Sequence, residues 1–103
     1  MNKILLLILM LFNLILFSQN IGFVKGYITD SETGEPLFAA SIGVKGTSIG
    51  TTTDFDGKFE ISIAPNDITL IISYIGYNTM EIENIKIKFD DIYLLENIKL
   101  APS

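Results

Sequence analysis

Lys58-Phe59-Glu60-Ile61-Ser62-Ile63-Ala64-Pro65-Asn66-Asp67-Ile68-Thr69-Leu70-Ile71-Ile72-Ser73-Tyr74-Ile75 holds the two patterns that decide the fold. Phe59, Ile61 and Ile63 alternate with Lys58, Glu60 and Ser62, the period of a strand with one buried face, so Phe59 and Ile61 are predicted in the core. Ala64-Pro65-Asn66-Asp67 carries turn chemistry. Residues 68–75 are then almost continuously apolar, as expected of a central strand buried on both faces or close to both. No window after residue 22 places apolar residues at helical spacing between convincing caps, so the fold class is all-β.

The same alternation extends outward on both sides. Upstream, Val24, Gly26 and Ile28 are predicted on one face of a first strand, with Lys25, Tyr27 and Thr29 on the other, before Asp30-Ser31-Glu32-Thr33-Gly34 turns the chain. Pro36 bars a central strand where it stands. A second strand is expected through Ala40, Ile42 and Val44, and a short third one over residues 49–53, where three consecutive threonines favour extended backbone. Asp54-Phe55-Asp56-Gly57 is a tight hairpin signal, which makes Phe59, Ile61 and Ile63 its returning strand.

Downstream, Gly76 separates the central strand from one over residues 77–85, with one wet face. Ile85, Ile87 and Phe89 alternate with lysines, Asp90-Asp91 interrupts, and Ile98 and Leu100 suggest a closing strand whose partner the pattern does not give. Six or seven strands in about 80 residues, with turns every 8 to 12 or so, fit a small sandwich.

The beginning of the chain is different. Lys3 precedes residues 4–17, apolar apart from Asn13, and Ser18-Gln19-Asn20 follows, the layout of a secretory signal peptide over residues 1–18. Those fourteen residues would span only about 21 Å as a helix at ~1.5 Å per residue, short of the ~30 Å hydrocarbon core of a membrane. Ser18 suits the position before a cut, although Leu16 is larger than the alanine preferred there. The expectation is cleavage near Gln19 and one folded domain over residues 19–103.

Composition removes many functions. At 103 residues the chain has room for one core, and its net charge of −5 offers no basic surface for nucleic acid. Without Cys or His there are no disulfides, thiol nucleophiles, imidazole bases or usual zinc ligands. Ser residues stand in no nucleophile elbow. Asp54-x-Asp56-Gly57 has the start of a calcium loop, but Ile63 occupies the position of its closing Glu and Thr52 that of its first ligand. Asp90-Asp91 and the pair Glu81, Glu83 read as solvated carboxylates rather than an acid/base couple. Lys45-Gly46-Thr47 lacks the upstream glycine and following helix of a phosphate loop. Tyr74, Tyr77 and Phe55 could form an aromatic platform, against which stands ordinary packing. No catalytic, cofactor-binding or metal residue is assigned, no cofactor is expected, and an exposed sheet edge is left as the candidate for function.

Gly26-Tyr27-Ile28-Thr29-Asp30, Gly34-Glu35-Pro36-Leu37 and Ala40-Ser41-Ile42-Gly43-Val44-Lys45-Gly46-Thr47 resemble the opening of the carboxypeptidase-regulatory-like domains. Gly50-Thr51-Thr52-Thr53-Asp54-Phe55-Asp56-Gly57-Lys58-Phe59 and Leu70-Ile71-Ile72-Ser73-Tyr74-Ile75-Gly76-Tyr77 follow in that family's order. Phe38-Ala39 departs from it, standing where the family commonly has a small residue and Gly, so the bend into the second strand is expected to be less tight. The resemblance implies a seven-stranded, transthyretin-like β-sandwich, met as an accessory domain in metallocarboxypeptidases and at the N-terminus of TonB-dependent outer-membrane transporters of the Bacteroidetes type. It further implies an exported, non-enzymatic module, periplasmic or outer-membrane associated. Its partner would be an envelope protein, either such a transporter or the C-terminal continuation of the same chain, with no nucleic acid and no membrane contact except through leader or partner. The alternative is a stand-alone glycan- or peptide-binding module.

Overall fold

The computed structural model describes residues 2–8 and 20–103. Residues 2–8 form a short helix, and no described helix is long and apolar enough to cross a membrane. The expected leader exit at Ser18 and Gln19 lies outside the described residues.

Seven strands follow: β1 (Gly22–Asp30), β2 (Ser41–Val44), β3 (Gly50–Thr52), β4 (Lys58–Ile63), β5 (Asp67–Ser73), β6 (Met80–Lys86) and β7 (Ile92–Leu100). They form two sheets of order β4-β1-β7 and β3-β2-β5-β6, the expected all-β sandwich. Between the sheets lie Val24 and Ile28 of β1, Ile42 and Val44 of β2, Phe59, Ile61 and Ile63 of β4, and Ile68, Leu70 and Ile72 of β5, all buried. Burying each such aliphatic side chain contributes roughly 1.5–3 kcal/mol. The phase predicted for β4 holds, with Phe59 and Ile61 inward.

Four expectations change. The Asp54–Gly57 turn forms, yet β3 and β4 do not pair: β3 joins β2 and β4 crosses to β1, so the turn carries the chain from one sheet to the other. β5 is central in its sheet but buried on one face only; Thr69, Ile71 and Ser73 are half-exposed, and Ile75, beyond the strand, is 96% exposed. The strand after Gly76 begins at Met80 rather than Tyr77. There one extra residue bulges out of β6 between the pairs Leu70↔Ile82 and Ile68↔Ile85, with Asn84 at φ 60, so the inward phase passes from Ile82 to Ile85 and Ile87. Phe89, the next position of that alternation, is exposed.

β7 finds its partner in β1, and the pairing is parallel, from Phe23↔Ile92 to Asp30↔Leu100. A bulge on β7 opposite Lys25–Tyr27 shifts the inward phase from Leu95 to Ile98 and Leu100. Beyond β7 the chain reaches the other sheet. Asn78 N–H donates to the Ala101 carbonyl (2.8 Å) and Ser103 N–H to the Gly76 carbonyl (2.9 Å), around an antiparallel bridge between Tyr77 and Pro102.

Candidate functional site

One end of the sandwich gathers the loops 31–40, 53–57 and 74–79 together with residues 101–103. Its geometry starts from Asp54. The Asp54 Oδ1 accepts the backbone N–H groups of Asp56 and Lys58 (both 2.9 Å), and Gly57 N–H donates to the Asp54 carbonyl (3.0 Å). Gly57 has φ 78, and a Cβ there would lie 2.6 Å from the Ile28 carbonyl oxygen and 3.0 Å from Pro36 Cβ. The turn is thereby pressed against β1 and the 31–40 loop, which projects Phe55 outward.

Thr53, 3% exposed, fixes the opposing loop. Its hydroxyl donates to the Leu37 carbonyl (2.5 Å) and accepts Ala40 N–H (2.9 Å), while Ala39 N–H donates to the Thr53 carbonyl (3.1 Å). Between these anchors Ala39 adopts φ 64, the region natural to glycine. The bend expected to relax around Phe38-Ala39 is instead kept left-handed, and an alanine carries the strain because bonds on both sides hold it.

The proposed aromatic trio separates into two pairs. Tyr74 and Tyr77 meet edge to face, centroids 5.3 Å apart, and pack against the core. Phe55, 79% exposed, stacks on Phe38 with centroids 4.2 Å apart and planes 3° from parallel. Phe38, Ala39, Ser41, Ser73, Tyr74 and Ile75 line an open cleft beside that stack. In the sequence Phe38 stands out only as a departure from the family and Ile75 only as strand; the signal is an aromatic next to turn residues on each of two loops, which only the fold brings together.

Asp30 is a second residue whose role the sequence hid behind turn chemistry. The Tyr77 hydroxyl donates to Asp30 Oδ2, and Oδ1 accepts N–H from Glu32 (2.7 Å) and Thr33 (3.0 Å). The Tyr77 bond, aided by the backbone donors, holds the Asp30 carboxyl below its ordinary 3.8. The same bond, with burial, pushes the Tyr77 phenol up to about 12. This pair ties the end of β1 to the loop after β5, across the two sheets.

Other candidates stay apart. Glu81 pairs with Lys45 at 3.3 Å, both exposed, and Asp91 Oδ1 accepts Ile92 N–H. Asp54 spends its carboxylate on its own turn, and among the described residues no three Asp or Glu side chains converge as metal ligands. The sheet edges are β4 and β7 on one side and β3 and β6 on the other, with Ile92 and Leu94 of β7 exposed.

The profile of the CarboxypepD_reg-like domain matches residues 24–100, nearly the whole sandwich. The chain belongs to the CarboxypepD_reg-like family. This CarboxypepD_reg-like chain is 42% identical over 87 residues, 80% of its own length, to the TonB-dependent receptor SusC of Bacteroides thetaiotaomicron, of which the match covers 8%. It is 43% identical over 51 residues, half of its length, to a TonB-dependent receptor of Formosa agariphila, of which the match covers 5%. The chain thus spans less than a tenth of the length of either receptor. Among solved structures, a type II cohesin–X–dockerin complex from Acetivibrio cellulolyticus has a chain that superposes with TM-score 0.65 at 27% identity, over 79% of this chain and 58% of that one. The family places the named motifs in context: Gly34, Gly46 and Gly57 all sit at positive φ in turns, and Pro36 packs beside Gly57.

Proposed function

We propose that this CarboxypepD_reg-like chain is an exported, non-catalytic accessory domain of the bacterial envelope that works by contact with a TonB-dependent outer-membrane transporter. The observation that carries it is the 42% identity, over 80% of this chain, to a segment amounting to 8% of SusC. Residues 1–18 are the leader, and residues 19–103 the domain. The surface supports contact rather than chemistry, since its most exposed large side chains at one end are Phe55 and Ile75 and its carboxylates are solvated or tied into turns.

Purification of the tagged chain from envelope fractions, with mass analysis of bait and prey, tests this. The expected result is a bait beginning near Gln19 recovered with a TonB-dependent transporter. Recovery from the cytoplasm with Met1 intact, or turnover of a peptide or ester by the purified chain, would overturn it. A second reading, a glycan- or peptide-binding module, is favoured by the exposed Phe38–Phe55 stack.

A further inference from the structure

Two stacked phenylalanines in water serve no core, and the loop that presents one of them holds an alanine in a strained conformation. Such strain persists where surrounding bonds over-determine it, here through Thr53, and the result is a rigid apolar surface that loses little conformational freedom when covered. The loops at this end carry charge of one sign, Lys58 at the start of β4 being the first cation beyond the Phe55 turn. The loops 31–40, 53–57 and 74–79 and residues 101–103 contain Glu32, Glu35, Asp54 and Asp56 and no lysine or arginine. Asp54 and Asp56 flank Phe55 in the chain, and Glu35 precedes Pro36, which lies against Gly57.

We propose that the Phe38–Phe55 stack, with Ile75 and the adjoining cleft, is a docking site for an extended, arginine-bearing segment of a partner protein. Guanidinium groups stack on aromatic faces and pair with carboxylates through a planar fork, and this surface offers both. A second copy fits poorly, because a two-fold interface would set each chain's carboxylates against their own equivalents. A neutral sugar would use the aromatic face and ignore the charge. The proposal rests on the accessory-domain reading and adds the chemistry of the partner.

The test titrates a short synthetic peptide of alternating arginine and leucine into the full chain and follows backbone amide shifts. Shifts concentrated at Phe38, Ala39 and Phe55 are expected, weakened by salt, with a loss of at least about tenfold in affinity for the double variant Phe38→Ser, Phe55→Ser. Glutamate in place of arginine should abolish the effect. Both phenylalanines are exposed, so the double variant should fold; Glu35→Gln with Asp56→Asn provides an independent loss if it does not. Shifts scattered over the surface, equal binding by the double variant, or displacement by a neutral oligosaccharide that binds more tightly would overturn the proposal. Copurification separates it from its parent reading. If a transporter is recovered equally with wild type and double variant, this surface is not the contact and the accessory reading stands. If no transporter is recovered while the peptide binds at Phe55, the accessory reading falls and the site stands.

Discussion

The two ends of the sandwich differ in both loop length and character, the Phe55 end having the longer connections. The loops of the Phe55 end carry four carboxylates and no lysine or arginine, and the same end holds a strained alanine and the Asp30–Tyr77 tie between sheets. The opposite end, with the loops 45–49, 64–66 and 87–91, balances Lys45 and Lys88 against Asp90 and Asp91, and a Cβ added at Gly46 would meet nothing within 4 Å. Both ends are hydrogen-bonded, but the left-handed positions of the opposite end are Gly46 and Asp90, residue types that suit that region, whereas the Phe55 end holds Ala39 in it. A small sandwich can therefore concentrate constraint where its surface is specialised.

The sharpest way to break that contrast is to place the same methyl group at both ends. Gly57 and Gly46 have nearly equal φ, 78 and 80, but only at Gly57 would the added Cβ meet backbone, 2.6 Å from the Ile28 carbonyl oxygen. Gly57→Ala should destabilise by about 2–4 kcal/mol, strain and overpacking together. Gly46→Ala should lose only about 1 kcal/mol, from the left-handed conformation alone. Denaturant midpoints of the two variants measure the difference, and equal losses would dissolve the distinction between the ends.

Acid and base should loosen the Phe55 end first. Asp30 has a lowered pKa in the fold, so its contribution is complete above 3.8 and disappears as pH falls through the lower folded value. Tyr77 has a raised pKa, so its contribution is complete below 10 and disappears as pH rises toward about 12. The melting-temperature advantage of wild type over Tyr77→Phe should be flat between those limits and shrink outside them. Smaller still, Ala39→Gly should stabilise by about 1 kcal/mol, because glycine takes φ 64 without strain. Smallest is Phe55→Ser, which should change stability by less than about 0.5 kcal/mol, since the ring is 79% exposed.

Where periodicity is unbroken, the sequence reveals the strand and its inward face. β4 reads directly because Phe59, Ile61 and Ile63 keep period two to the turn at Pro65. β6 and β7 resist reading because each holds a bulge: Ile82 and Ile85 are both inward, as are Leu95 and Ile98, and no single period joins either pair. The Asp54–Gly57 turn was legible as chemistry but not as destination, since the same four residues suit a hairpin or a crossing between sheets. The candidate surface was half legible for a similar reason. Phe55 stood out, yet its partner Phe38 lies 17 positions away on the loop joining β1 to β2, and nothing local links them.

The parallel pairing of β1 with β7 has a mechanical consequence. β1 enters the ladder at the end opposite Phe55, and β7 leaves it at the Phe55 end, so a tension applied between Gly22 and Leu100 draws the two neighbouring strands in opposite directions along their own axes. The load falls on the bonds from Phe23↔Ile92 to Asp30↔Leu100 together, in shear, rather than peeling them one by one. Resistance to such a pull is set by the rate at which the whole ladder ruptures rather than by equilibrium stability, and the domain is strung so that stretching its backbone grips the ladder before it opens.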